Sequence, residues 1–310
     1  MEVKFHLPGL RRNYPFNVTF VRLYQEHPEY FREGVTFGSF YGEFPPSLWN
    51  SGRNSRPDMC DSKFINMCIK QMNDWGIPIR YTYTNMVLEE EDLADPYCNY
   101  CLQAAHNGMN GVILVSPILE EYVRKNYPKM NIISSTCKCI RGIDGVNEEL
   151  KKDYALVVLD YNLNNRFDEL EKITDKGRCE ILVNALCQPN CPARPAHYRN
   201  LSENQRIIVE NMKLPKEQMK PLVEWTYPCK GGNNIYAIQD FCTYVSPEDI
   251  WEKYVPMGFH NFKIEGRTDH ILSLIELYTL YMIKPEYQGK VRFILYGKME
   301  QLKIIQVHMP

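Results

Sequence analysis

Eight short apolar runs, rich in β-branched and aromatic residues and separated mostly by longer amphipathic stretches, constrain this 310-residue chain most. They are Val3–His6, Val35–Phe40, Ile77–Tyr83, Gly111–Ser116, Met130–Ser135, Tyr154–Asp160, Cys179–Asn184 and Asn261–Glu265. Several are continuous, as in Val112-Ile-Leu-Val115 and Ala155-Leu-Val-Val-Leu159. Continuous apolar runs suit strands covered on both faces, hence a parallel sheet. Helical stretches fall between most of them. Ser62–Trp75 ends at the breakers Gly76 and Pro78, and Ser246-Pro-Glu-Asp249 is a helix start, with a Ser cap and Pro at the first helical position. Further helices are expected at Glu120–Asn126, Arg166–Ile173, Pro247–Tyr254 and His270–Ile283. Strand and helix alternating eight times predict an α/β fold, a (β/α)8 TIM-type barrel. A doubly wound sheet is the alternative.

The rhythm breaks between the seventh and eighth runs. Residues 188–243 read as a long insert within a single barrel domain spanning 1–310, with Pro189, Pro192, Pro195, Pro221 and Pro228 and a Gly231-Gly232 turn. Connections this long are usually functional or disordered, and the cysteines here favour a tethered, functional loop.

Composition narrows the class. A hydrophobic share of 44% supports a sizeable core. With 36 basic and 38 acidic residues the net charge is −2, which disfavours nonspecific nucleic-acid binding. No apolar run reaches the ~18 residues of a membrane span. The start Met1-Glu-Val-Lys4 lacks a signal pattern, so a soluble, cytoplasmic protein is expected. Eleven cysteines in a reducing compartment are then thiols or metal ligands rather than disulfides.

A barrel carries its working groups on the loops after the strands' carboxyl ends. Cys60, Cys137, Cys139, Cys187, Cys191, Cys229 and Cys242 fall on such loops. Cys68, Cys98, Cys101 and Cys179 read as core packing. Cys187-Gln-Pro-Asn-Cys191 is the strongest pair, because its spacing turns two sulfurs to one point beyond the seventh strand. A cluster needs about four thiolates, and Cys229 and Cys60 are the expected third and fourth, with Cys242 in reserve. Zinc would use the same set. Glu265 and Arg267 end the last strand. They read either as groups aimed into the barrel mouth or as a structural ion pair. Lys263 alternates with Glu265 and faces the same side. His197 reads as a ligand, a proton donor or a loop residue. Asn85, Ser116, Asp160 and Asn184 lie at strand ends, as pocket lining or as helix caps. Arg53 and Arg56, beside Cys60, read as anion contacts or solvated loop residues.

Two segments carry a family resemblance. Phe262-Lys-Ile-Glu-Gly-Arg267 resembles the FKIEGR signature of the collagenase-like peptidase family U-32 (the PrtC type). Glu180–Cys187, followed by Cys191-Pro-Ala-Arg194 and His197-Tyr198, resembles that family's cysteine segment in its C-x3-C-P-x-R-x-x-H form. Val245-Ser-Pro-Glu-Asp-Ile250 resembles the segment that precedes FKIEGR. The match covers the last half of the chain. It implies a (β/α) barrel and a cysteine-bound 4Fe–4S cluster, as in the branches acting in ubiquinone and RNA-base hydroxylation. It implies a cluster role for Cys60 and leaves room for a second family-related subunit as partner. The sequence lacks the A-L-C-x-x-x-S-G-R-C run of those branches, so no substrate carries over. Three functions follow as expectations: a redox or hydroxylation enzyme on an unknown substrate, a peptidase, and a non-catalytic zinc- or cluster-stabilised binding protein.

Overall fold

The structure, a computed structural model, describes residues 2–51, 59–229 and 237–306. Eight parallel strands close into a barrel in chain order. They are β1 (Val3–Pro8), β2 (Val35–Gly42), β3 (Ile79–Tyr83), β4 (Gly111–Leu114), β5 (Asn131–Ser134), β6 (Leu156–Val158), β7 (Cys179–Leu182) and β8 (Asn261–Lys263). Lys4 pairs with Asn261 and closes the ring. The expected (β/α)8 architecture is the one observed, and each expected run contributes its strand.

Helices α1 (Tyr14–Glu26), α2 (Ser62–Asp74), α3 (Pro96–Ala105), α4 (Pro117–Asn126), α5 (Ile143–Leu150) and α6 (Phe167–Leu170) follow β1 to β6. α7 (Arg194–Asn211) lies in the long β7–β8 connection. It is followed there by a short α8 (Pro247–Asp249) that runs on through a π turn, Ile250–Tyr254. After β8, the largely buried α9 (Ile271–Met282) packs against α10 (Gln288–Gln301). Asp61, Asp95, Ser116 and Ser246 cap α2, α3, α4 and α8 through their side chains. Among the described residues no helix is long and apolar enough to cross a membrane.

Side chains alternate across each strand, and the alternation sorts the molecule into two compartments. Phe5, Leu7, Tyr81, Tyr83, Val112, Leu114, Ile181 and Phe262 face outward and join the helices in one large apolar core. A smaller apolar cluster, Tyr41, Ile113, Ile133, Leu156 and Val158, forms apart from it on the strands' other face. That face also carries His6, Arg80, Glu180, Asn261 and Lys263. The barrel therefore has a charged interior.

Candidate functional site

The interior charges centre on Glu180, which β7 buries completely. Arg80 Nη1 reaches Glu180 Oε2 at 2.5 Å, and Lys263 Nζ lies 3.2 Å from Oε1. His6 Nε2 is 3.5 Å from the same carboxylate and 3.2 Å from Asn261 Oδ1, while its Nδ1 is 2.9 Å from Ser39 Oγ. These partners suit a ring protonated at Nε2 that accepts from the serine hydroxyl. Burial, reinforced by the Arg80 charge, pushes His6 down to about 3, so the imidazole is neutral. Burial opposes ionisation of Glu180, but its basic neighbours outweigh it and hold the carboxyl far below the usual range. Burial also lowers the Lys263 ammonium, and Glu180 partly restores it.

A second tier stands nearer the mouth. Arg267 Nη1 donates to Glu43 Oε2 at 2.7 Å and to Asn50 Oδ1 at 3.2 Å, and it also contacts the Thr82 hydroxyl. Thr82 in turn donates to Glu43 at 2.9 Å. Asn184 clamps Glu265 by its backbone: its amide donates to the Glu265 carbonyl at 3.0 Å, and its oxygen accepts from the Glu265 N–H at 2.7 Å. The Glu265 carboxylate then accepts from the Leu186 N–H at 3.0 Å. This links the end of β8 to the cysteine loop.

That loop is fixed by Arg194, the first residue of α7 and only 1% exposed. Its guanidinium forms a two-pronged pair with the equally buried Asp160, donates from Nε to Cys139 Sγ at 3.3 Å and lies 4.5 Å over the Tyr161 ring. The turn after β6 supplies the remaining ties. Asn162 accepts from the Asn190 N–H between the two cysteines, and Asn165 donates to the Cys242 carbonyl at 3.0 Å. Arg141 holds the Cys191 carbonyl at 3.1 Å. Burial raises the Cys187 thiol. Tyr161 and Arg194 oppose the rise, and Cys191 and Glu265 add to it, so the two cysteines are electrostatic neighbours.

Between these groups lies a cavity of about 490 Å3 at the carboxyl ends of the strands. Glu265, Arg267, His197, Cys187 and Cys229 all line it, with Lys263 among them. His197 stacks on Trp225, ring centroids 4.7 Å apart, so α7 and the segment beyond it form one wall. Cys191 is buried in the same loop. Cys60 is placed elsewhere. Its thiol accepts from Arg11 Nε at 3.0 Å, its carbonyl from Tyr97, and its electrostatic neighbours are Cys68 and Cys101 on α2 and α3. Cys242 is exposed on the turn beside the mouth. Among the described residues no three His, Cys, Asp or Glu side chains stand together as a metal-holding group. Arg53 and Arg56 lie outside the described residues.

The strand-end residues divide. Ser116 caps α4, and Asp160 both caps the following turn and binds Arg194. Asn184 is the Glu265 clamp, and Asn85 braces the loop around Trp49 and α7. Sequence reasoning missed the interior group of His6, Arg80 and Glu180, and also Glu43. The signal was present: single charged residues inside short apolar strands, at alternate positions.

The fold and site thus define a parallel (β/α)8 barrel with a charged interior and a cysteine-bearing loop at its catalytic-type face. Comparison with protein-family profiles and with curated proteins finds no match. Among solved structures the chain is similar to one titled "The Structure of the U32 Peptidase Mk0906", at 13% identity and a TM-score of 0.47, over 85% of this chain and 92% of that one.

Proposed function

We propose that this chain is a U-32-like barrel protein that binds a metal centre, a 4Fe–4S cluster in the first instance, through cysteines at the barrel mouth, and acts in a redox or hydroxylation-type reaction. The observation that carries this reading is the convergence of Cys187 and Cys229 on one cavity with Glu265, Arg267 and His197, with Cys191 beside Cys187. The FKIEGR and C-x3-C-P-x-R-x-x-H segments support it from the sequence side.

The donor chemistry fits a soft metal, since thiols are the ligands such clusters take. Cys187, Cys191 and Cys229 would hold it. Cys242 is the reserve fourth candidate, its carbonyl held by Asn165 on the turn after β6. Cys60 is engaged by Arg11 away from the cavity. When bound, a cluster supplies single-electron transfer. The chain's own contribution is a polar chamber in which Glu265 and Arg267 are fixed by Asn184 and Glu43.

Anaerobically purified protein is expected to be brown, with about four irons and four sulfides per chain, and Cys187→Ala to lose both colour and iron. Colourless protein with stoichiometric zinc overturns the iron–sulfur reading. Peptide cleavage that survives Cys187→Ala and Cys191→Ala favours the peptidase reading instead.

A further inference from the structure

Two cations line the cavity, Lys263 in the barrel interior and Arg267 in the tier nearer the mouth. Lys263 Nζ faces the Tyr41 ring at 4.0 Å on one side and pairs with Glu180 on the other. Glu180 is shared with Arg80, so around Glu180 two cations stand against one carboxylate, with His6 neutral. A desolvated cation whose partner is already claimed attracts an anion more strongly than a surface lysine does. Arg267 spends a single nitrogen, Nη1, on Glu43, Asn50 and Thr82. Its Nε and Nη2 make no hydrogen bond with any described residue, and both Arg267 and Lys263 line the cavity. One free guanidinium edge beside a buried ammonium is the arrangement that takes an oxyanion.

We infer that Lys263 and Arg267 form an anion seat that holds a carboxylate or phosphate group of the substrate within the cavity. The substrate class is a small anionic molecule, of a size to fit about 490 Å3. This goes beyond the metal reading and does not need it: the seat is built from Lys263 on β8 and Arg267 just beyond it, neither of them a thiol.

The test is isothermal titration of the full chain, at low ionic strength, with inorganic phosphate and separately with succinate, against chloride at matched ionic strength. Saturable one-site binding of at least one probe is expected. Arg267→Gln and Lys263→Met should each weaken it at least about tenfold, and Arg267→Lys should weaken it less. Chelator-treated, metal-free protein should bind the probe as untreated protein does, so failure of the metal reading and failure of this one are separable. Lys152→Met, in the outer groove formed by α4, α5 and Tyr154, serves as a control. Absence of saturable binding to the wild type, binding indifferent to Arg267→Gln, or binding lost in Lys152→Met overturns the proposal. If Lys263→Met does not fold by circular dichroism, the two Arg267 variants decide alone.

Discussion

Arg194 is only 1% exposed, yet it carries a full charge, and Asp160 is the group that makes this tolerable. Removing one partner of such a pair leaves the other ionised and desolvated. Arg194→Met is therefore expected to destabilise the protein by about 3–5 kcal/mol, measured by urea unfolding, with Asp160→Asn similar. The double variant Arg194→Met/Asp160→Leu should recover part of that loss, since an apolar pair of similar volume is cheaper than a stranded charge. His6 gives a second residue-scale prediction. Its folded pKa is about 3 and its unfolded value 6.5, so below 6.5 the unfolded chain binds a proton that the folded chain refuses. Stability contributed by the neutral ring is full above 6.5 and is lost as pH falls towards 3. Between pH 6.5 and 5 this amounts to about 2 kcal/mol, and it should vanish in a folded His6→Asn variant. Glu180 and Glu149 also have lowered pKa values, but their windows open only below 4.5, so they do not mask it. Urea midpoints at the two pH values check this. A wild-type slope no steeper than that of the variant would refute the assignment. These residues also show what the sequence conceals. Arg194 is visible as the R of C-P-x-R, but its partner lies on a different strand end, and no local pattern pairs residues 34 positions apart.

At the scale of elements, the strands were readable because each is a short, mostly apolar run, several of them continuous, and burial on both faces favours that composition. α7 was not. It begins at Arg194-Pro195 inside a proline-bearing stretch, and its polar surface gives little helical periodicity. Its start is fixed instead by the Arg194–Asp160 pair, and its inner face by Gln205 and Ser202 bonding to the Ser47 carbonyl and the Met86 N–H. The fit of β1 to β2 is another feature no pattern announces. Their register slips by one residue, pairing Phe5 with Phe37 and His6 with Ser39 and leaving Gly38 opposite nothing. The His6 ring occupies the space a side chain would need: a Cβ at Gly38 would lie 2.3 Å from His6 Cε1. Gly38→Ala must displace the imidazole from Ser39 and Asn261, and a cost of about 1–3 kcal/mol is expected, read from the urea midpoint. In a His6→Ala background the same substitution should cost much less, because the clashing ring is gone.

Over the whole molecule, order is unevenly distributed. The barrel and its helices share one apolar core, whereas the stretch after α7 leaves Met219, Leu222, Val223 and Tyr227 exposed and is held chiefly by Asn200, Asn204 and Asn211 side-chain bonds and the Trp225–His197 stack. Segments with few buried contacts open at low free energy and are cut first. Limited trypsin digestion of the apo protein should cleave at Lys213 or Lys216 before any site in the strands or the helices that cover them. The two fragments should stay associated, because β8 lies between β1 and β7 and cannot leave without opening the ring. The same digestion probes the metal reading on a scale the colour assay does not reach. Cys229 lies at the end of this stretch, and Cys187 lines the same cavity. A metal bound to both would tie the segment to the barrel, so iron-loaded protein should resist cleavage at these lysines, and Cys229→Ala should abolish the protection while leaving the barrel's unfolding midpoint unchanged. Equal cleavage rates with and without iron would mean that Cys229 is not a ligand, whatever colour the protein has.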